Sequence, residues 1–219
     1  MGSRSRRLSS SSWALVACAC FALPLSAKPT PASVSCGSAN RGGLGNAAEL
    51  ALEGHGWVIP SPWKERDLRY GTDELVGLIE RAAATVDDKH PGAILGVGDL
   101  SRDRGGAITN HQSHQSGRDA DLIYYAMTED GESLEPLDAL PYWRREGHAT
   151  FTREPTKKRI STRWFDRKRN WALVAAMATD SQVTVERIFV SLRIHRWLIA
   201  EGEEAGDEDA LEAVKAVLR

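Results

Sequence analysis

Candidate metal ligands are concentrated in one segment of this sequence, residues 110–125, which reads NHQSHQSGRDADLIYY. The segment holds two histidines and two aspartates: His111, His114, Asp119 and Asp121. Imidazole nitrogens and carboxylate oxygens are common zinc ligands, and a catalytic zinc site uses three protein ligands and a water molecule. The segment therefore offers the first two ligands of such a site, while the third is harder to find.

The two aspartates are expected to project from one face of a strand. Residues two apart point the same way in a β-strand, so Asp119 and Asp121 share a face while Ala120 packs on the other. Two carboxylates on a half-buried face need a positive partner. A metal ion can supply that charge, and so can Arg118 or Arg104.

The histidines precede these aspartates by a spacing that a loop can close. His114 lies seven residues before Asp121, and Gly117 between them is a permissive turn position that can fold the loop back onto the strand. His111 either joins the site or is a solvent-facing loop residue. The spacing thus favours a metal site built on His114 and Asp121, with His111 as a further candidate.

Composition and cysteine usage exclude several other kinds of site. The chain has 219 residues, which suits one sizeable domain, and its formal net charge of -2 gives no electrostatic case for a nucleic-acid partner. Cys18 and Cys20 lie in the N-terminal segment, so removal of that segment leaves Cys36 alone and allows neither an internal disulfide nor a thiolate zinc site. A metal here must be held by histidine and carboxylate.

The first 27 residues are typical of a secretory signal peptide. Arginines precede an apolar run from Trp13 to Leu25, and the residues up to Ala27 offer a cleavage site. The run is too short to remain as an anchor, so no membrane span is expected. An alternative is a lipoprotein signal in which Cys18 is acylated. Both interpretations take the protein out of the cytoplasm.

Hydrophobic periodicity predicts one domain over residues 47–219, preceded by a flexible lead-in over residues 28–46 that is rich in Pro, Ser, Gly and Asn. Helices are predicted over residues 73–86, 166–180, 192–200 and 209–219. Strands are predicted over residues 93–97, 119–126 and 184–191. Because no repeating βαβ rhythm is present, the pattern favours an α+β domain with a small antiparallel sheet and flanking helices.

The run GDLSRDRGGAITNHQSHQSGRDADLIYY, residues 98–125, resembles the metal-binding region of penicillin-insensitive murein endopeptidases. These belong to a wider group of zinc peptidases, which includes the D-alanyl-D-alanine dipeptidases. The element that the group shares is H-x6-D followed much later by H-x-H. The similarity continues through FDRKRNWALV at residues 165–174 and VERIFVS at residues 185–191, and covers most of the chain from Gly56 to Arg219.

The resemblance implies a fold like that of zinc D-alanyl-D-alanine peptidases, in which His114 and Asp121 bind a catalytic Zn²⁺ and His111 is an additional metal ligand. It also implies that the substrate is peptidoglycan, whose peptide cross-links are cut between D-alanine and meso-diaminopimelate by a metal-activated water. Such an enzyme works in the periplasm, and cross-linked stem peptides are its expected partner.

The sequence departs from the family pattern near its C-terminus. Relatives take the third ligand and a catalytic base from an H-x-H, whereas no two of the six histidines here are two residues apart. No catalytic residue is therefore assigned, and the domain over residues 47–219 is expected to be truncated at its C-terminus. Two functions remain open: a zinc endopeptidase, or an inactive relative that binds peptidoglycan without cleaving it.

Overall fold

Five helices and twelve short strands lie in the part of the chain that the computed structural model describes, residues 31–136, 143–153 and 158–219. The helices are α1 (Ser61–Lys64), α2 (Asp73–Lys89), α3 (Arg167–Ala178), α4 (Leu192–Ala205) and α5 (Glu208–Val217). The strands are β1 (Val34–Ser38), β2 (Arg41–Gly45), β3 (Ala48–Glu49), β4 (Glu53–Gly54), β5 (Trp57–Val58), β6 (Tyr70–Gly71), β7 (Leu95–Val97), β8 (Leu122–Ile123), β9 (Ala126–Met127), β10 (Ser133–Leu134), β11 (His148–Arg153) and β12 (Lys158–Phe165).

The strands pair into four small sheets within these residues. β1 pairs with β2 and β3 with β6, both antiparallel. One four-stranded sheet has the order β4-β5-β7-β8, in which β5 and β7 are parallel, and the other has the order β10-β9-β12-β11. The predicted α+β class with small antiparallel sheets and flanking helices is confirmed.

Side-chain caps fix where the long helices begin. α2 starts after Thr72, whose Oγ1 accepts a hydrogen bond from the Leu75 N–H. Three more side chains cap α3, α4 and α5 in the same way: Asp166, Ser191 and Asp207. The predicted helices are therefore confirmed, although α4 runs on to Ala205.

From Trp171 onward, helix α3 is apolar around its circumference because this part lies between two clusters of buried side chains. Leu173 and Met177 belong to the first cluster, which includes the apolar face of α2 and the buried strand β7. Trp171 and Val174 belong to the second, which α3 shares with α4 and α5. Burial on both sides explains why this helix lacks a polar stripe.

A buried asparagine ties α3 to the chain that follows the candidate ligand Asp121. The Asn170 side chain accepts a hydrogen bond from the Tyr125 N–H (3.0 Å) and donates one to the Tyr125 C=O (2.9 Å). It also donates to the Asp166 C=O (2.7 Å). The segment that follows β8 is thereby held against the core of the domain.

The prediction of a flexible lead-in over residues 28–46 is wrong for residues 34–45, which form the β1–β2 hairpin. The hairpin pairs in register from Val34 opposite Gly45 to Ser38 opposite Arg41. Its small residues permit a close approach to the histidine loop, since a Cβ on Gly42 would lie 2.7 Å from the Cβ of Ser116. Composition alone indicates a loop here because it does not register such tertiary contacts.

The strand predicted over residues 184–191 is reduced to one isolated parallel bridge between Ile188 and Leu218. The Ile188 N–H donates to the Val217 C=O (2.8 Å), so this part of the chain pairs with residues at the end of α5. Helix α5 consequently ends at Val217, and the prediction of a helix running to Arg219 is wrong for the last two residues.

The strand predicted over residues 119–126 is present only as β8 and the start of β9, with irregular chain around them. The predicted signal peptide over residues 1–27, with Cys18, lies outside the described residues. Among the residues that the structure does describe, no helix combines the length and apolar character needed to cross a membrane.

Candidate metal centre

The chain that leaves β7 forms the floor of the centre. The Leu100 N–H donates to the Leu68 C=O (2.6 Å) on one side. On the other side, the Gly98 N–H donates to the Asp121 C=O (2.8 Å) and the Asp121 N–H donates to the Asp99 C=O (2.9 Å). This segment is thus bonded along both edges, which gives the centre a fixed backbone frame.

His114 is buried and held in one orientation. Its Nδ1 lies 2.8 Å from the Leu100 carbonyl oxygen. Because a carbonyl can only accept, Nδ1 carries the hydrogen, and in the neutral ring Nε2 keeps its lone pair. That Nε2 lies 3.4 Å from Asp121 Oδ1. The two candidate ligand atoms therefore face each other.

The backbone at His114 adopts a conformation that non-glycine residues rarely take. Its φ is 66°, in the left-handed region. The His114 N–H donates to Asp119 Oδ2 (2.8 Å), which helps to hold this turn. Gly117, the predicted turn position, also has a positive φ of 71°. These two left-handed residues fold the loop so that the imidazole returns to Asp121.

His111 approaches the same point from a different direction. Its ring centroid lies 4.7 Å from that of His114. Its Nε2 lies 2.9 Å from Asp99 Oδ2 and 3.1 Å from Arg66 Nη2. Arg66 in turn places Nη1 2.8 Å from the same Asp99 oxygen. His111 is thus part of a small polar network and not a solvent-facing loop residue.

The structure brings all three sequence-predicted ligands together. One ligand atom from each of His111, His114 and Asp121 lies within 4.8 Å of the other two. Two ligands at about 2.1 Å from a tetrahedral zinc ion are about 3.4 Å apart, and this is the separation of His114 Nε2 and Asp121 Oδ1. The donor types of all three residues, and the spacing of His114 and Asp121, therefore fit a divalent cation.

The charges around the histidines favour a cation as well. Asp121 faces His114, Asp119 accepts from its backbone, and Asp99 contacts His111. Arg66 supplies one positive charge at the Asp99 end. Carboxylates gathered around two imidazoles attract a positive ion, and the burial of Asp99 limits the screening of that attraction by water.

The protonation equilibria of His114 and Asp121 are coupled. Burial lowers the pKa of His114, but its hydrogen bond and charge interaction with Asp121 outweigh burial, so the pKa is raised. Burial raises the pKa of Asp121, but the interaction with His114 outweighs it, and that pKa is lowered. A proton on His114 thus occupies the place of a cation between the two side chains.

The β1–β2 hairpin supports the histidine loop from outside. Ser35 Oγ donates to the Ser116 C=O (2.7 Å), and the Gln115 N–H donates to the Ala39 C=O (3.0 Å). These bonds hold the residues directly after His114. The segment that composition describes as a lead-in is therefore part of the scaffold of the centre.

A cleft of about 680 Å³ adjoins the centre. It shares Arg66 with the polar network around His111, and it includes Asn110, the preceding residue in the chain. The other lining residues are Asp67, Leu68, Tyr70, Arg102, Asp103, Ile108 and Thr109. The cleft thus carries charges of both signs beside the candidate ligands.

Sequence reasoning missed two side chains of this centre, Asp99 and Arg66. Asp99 follows Gly98, directly after the buried strand β7. An aspartate at the end of a buried strand could have been recognised in the sequence as a candidate residue of the centre. Arg66 lies far from the histidines in the chain and carried no signal. Asp119 was a candidate ligand in the sequence, but its carboxylate accepts the His114 N–H and lies outside the three-residue group.

A family model for penicillin-insensitive murein endopeptidases matches residues 35–219. The chain belongs to this family. The match includes the β1–β2 hairpin from its second residue onward, the histidine loop and all five helices. The resemblance inferred from the histidine segment is thereby confirmed for most of the chain.

Curated members of the family are similar at moderate identity. The penicillin-insensitive murein endopeptidases of Escherichia coli K12 strain DH10B, of Escherichia coli O139:H28 and of Shigella boydii serotype 18 are each 28% identical over 192 residues. The aligned region is 86% of this chain and 64% of each of these relatives. The chain therefore spans less than two thirds of the length of the relatives it matches.

Proposed function

We propose that this chain provides the zinc-binding centre of a peptidase that cleaves peptidoglycan cross-links between D-alanine and meso-diaminopimelate. The observation that carries the proposal is the convergence of His111, His114 and Asp121 in a member of the murein endopeptidase family. Because peptidoglycan lies outside the cytoplasmic membrane, the proposal includes export to the periplasm.

Three residues of the centre would bind the ion, each through one ligand atom. His114 presents Nε2 because Leu100 takes its other ring hydrogen, and Asp121 presents an ionised carboxylate. His111 adds a third donor. When bound, a zinc ion supplies Lewis-acid polarisation of a peptide carbonyl and lowers the pKa of a water molecule towards neutrality.

The adjoining cleft suits a charged peptide. Arg66 and Arg102 line it and can pair with the carboxylates of a stem peptide, since guanidinium groups bind carboxylates in a two-pronged geometry. Asp67 and Asp103 line the same cleft and can pair with the amino group of diaminopimelate. The charge pattern therefore matches the zwitterionic substrate that the proposal requires.

Zinc binding by the purified chain is the first test. We expect the wild type to bind zinc, and His114→Ala to weaken binding by more than the roughly 10–100-fold that is typical for residues that only support a ligand. His55→Ala is the matched control, because His55 is exposed and contacts Asp87 and Asp88, not the centre. A wild type that binds no zinc at micromolar concentration would contradict the proposal.

Cleavage is the second test, on purified cross-linked muropeptides with products separated by chromatography. The proposal predicts release of fragments split between D-alanine and diaminopimelate, loss of this release in EDTA, and recovery on addition of zinc. Retention of peptidoglycan with bound zinc but no cleavage would instead support the alternative of an inactive relative that binds peptidoglycan.

A further inference from the structure

Asp99 is the most deeply buried carboxylate at the centre, and the proposed function gives it no role so far. Its side chain is 1% exposed, compared with 51% for Asp121. A buried charge is costly unless it is paired. One of its oxygens, Oδ1, has no hydrogen-bond partner among the described residues, and both polar contacts fall on Oδ2. A buried carboxylate with only one of its two oxygens paired costs stability, so we expect this residue to have a role at the centre.

The contact between Asp99 and His111 fixes where the imidazole hydrogen lies. An ionised carboxylate can only accept, so the contact with Asp99 Oδ2 (2.9 Å) requires a hydrogen on His111 Nε2. Arg66 Nη2, which can only donate, lies 3.1 Å from the same nitrogen, and the shorter contact to the charged acceptor decides the tautomer. In the neutral ring the lone pair is then on Nδ1. Asp99 therefore selects one of the two tautomers of His111 and makes one defined nitrogen available to a metal.

Arg66 completes this arrangement from the solvent side. Its side chain is 39% exposed, and its Nη1 lies 2.8 Å from Asp99 Oδ2. The guanidinium offsets part of the cost of burying Asp99 without removing the hydrogen bond to His111. Both donors converge on one oxygen, which restrains the carboxylate in rotation as well as in position.

The main chain at Asp99 connects the remaining ligands. The Asp99 C=O accepts the Asp121 N–H (2.9 Å), and the next carbonyl, of Leu100, accepts His114 Nδ1 (2.8 Å). Two consecutive residues thus orient His111, His114 and Asp121. The tautomers of both histidines are set from this one dipeptide.

We propose that Asp99 is a positioning residue of the metal centre, whose buried carboxylate orients His111 while its carbonyl holds the backbone of Asp121. This inference rests on the proposed function, since it takes His111 to be a ligand. Histidine ligands commonly donate their second ring hydrogen to a carboxylate, which fixes the ring and raises its basicity. Asp99 does not touch the reacting atoms and acts through His111.

Three variants of the full chain test the proposal. Asp99→Ala removes the carboxylate, whereas Asp99→Asn retains one oxygen that can accept from both His111 and Arg66, loses the charge and replaces the second oxygen by an NH2 group. Asp88→Asn is the matched control, because Asp88 lies in neither the cleft nor the centre, and its side chain is 72% exposed. Circular dichroism and thermal unfolding in EDTA establish that each variant is folded.

The first readout is zinc affinity, measured by competition with a chromophoric chelator. We expect Asp99→Ala to weaken zinc binding by about 10–100-fold, Asp99→Asn to show a smaller loss, and Asp88→Asn to match the wild type. A folded Asp99→Ala chain that binds zinc like the wild type would overturn the inference while leaving the proposed function intact. A wild type that binds no zinc would overturn both.

The second readout needs no metal. Long-range ¹H–¹⁵N spectra of the imidazoles report which ring nitrogen carries the hydrogen. We expect His111 to be protonated on Nε2 in the wild type and to lose that preference in Asp99→Ala, while His114 stays protonated on Nδ1 in both. An unchanged His111 tautomer in Asp99→Ala would refute the positioning role, and His114 serves as the internal control for a general loss of structure.

Discussion

The buried side chain of Asn170 offers a sharp test of how the scaffold holds the ligand strand. It makes three hydrogen bonds, with the Tyr125 N–H, the Tyr125 C=O and the Asp166 C=O. In Asn170→Ala two of these main-chain groups keep a second partner. The Tyr125 C=O still accepts the Asp166 N–H (3.2 Å), and the Asp166 C=O still accepts the N–H of residue 170 (3.1 Å). The Tyr125 N–H alone is left unsatisfied.

The expected loss of stability follows from this inventory. One buried N–H without a partner costs about 1–3 kcal/mol, and each of the other two lost bonds about 0.5–1.5 kcal/mol. Alanine recovers up to about 0.7 kcal/mol because it is the better helix former. The free energy of unfolding of Asn170→Ala should therefore fall by about 1–5 kcal/mol.

Equilibrium urea unfolding of the metal-free chain, followed by tryptophan fluorescence, measures this change. Lys168→Ala, an exposed position on the same helix, is the control and should stay within about 0.5 kcal/mol of the wild type. If Asn170→Ala were as stable as Lys168→Ala, the Asn170 hydrogen bonds could not be what ties α3 to the segment after Asp121.

Two further perturbations address the packing of α4 and the charge coupling at the centre. A Cβ on Gly202 would lie 2.6 Å from Trp171 Cζ3, so Gly202→Ala should lower the free energy of unfolding by about 1–3 kcal/mol, measured by thermal unfolding. Gly77→Ala, where the Cβ meets only the end of a flexible arginine side chain, should be neutral or stabilising. Asp121→Asn should lower the pKa of His114, because Asp121 is what raises it against the effect of burial, and an NMR titration of the His114 ring in EDTA measures this.

These two predictions have clear contrary outcomes. If Gly202→Ala were as stable as Gly77→Ala, the packing of α4 against Trp171 would have room for a Cβ at position 202. A His114 pKa that stays raised in Asp121→Asn would show that Asp121 is not the cause of the shift. Either result would be read from chains shown to be folded by circular dichroism.

The same coupling predicts how the stability of the metal-free chain depends on pH. The raised pKa of His114 stabilises the folded state at pH values below the unfolded pKa of about 6.5. This stabilisation is lost as the pH rises through the folded-state pKa. The lowered pKa of Asp121 stabilises the folded state at pH values above the unfolded pKa of this carboxyl group. This stabilisation is lost as the pH falls through the folded-state pKa. His114 and Asp121 therefore contribute most to the free energy of unfolding at pH values between the unfolded pKa of Asp121 and the unfolded pKa of His114. Asp121→Asn should remove that contribution.

Local sequence patterns were sufficient where burial and capping act within one element. Helix α2 follows from its apolar spacing and its Thr72 cap, and β7 from a short apolar run between glycines. Sequence patterns did not predict structure where a segment pairs with residues far away in the chain. The β1–β2 hairpin is stabilised through contacts with residues around Ser116, and the chain near Ile188 pairs with the end of α5. Neither contact leaves a periodic signal in the segment itself.

For the centre, residue types and spacing determined the three candidate ligands, because imidazole and carboxylate chemistry can be recognised one residue at a time. Only the tertiary structure decided how these ligands are held. It placed the Leu100 carbonyl on His114, put the Asp99–Arg66 pair against His111, and turned Asp119 away from the ligand group to hold a left-handed turn. Orientation and tautomer depend on hydrogen bonds between segments distant in the chain, and such bonds exist only once the fold has brought those segments together.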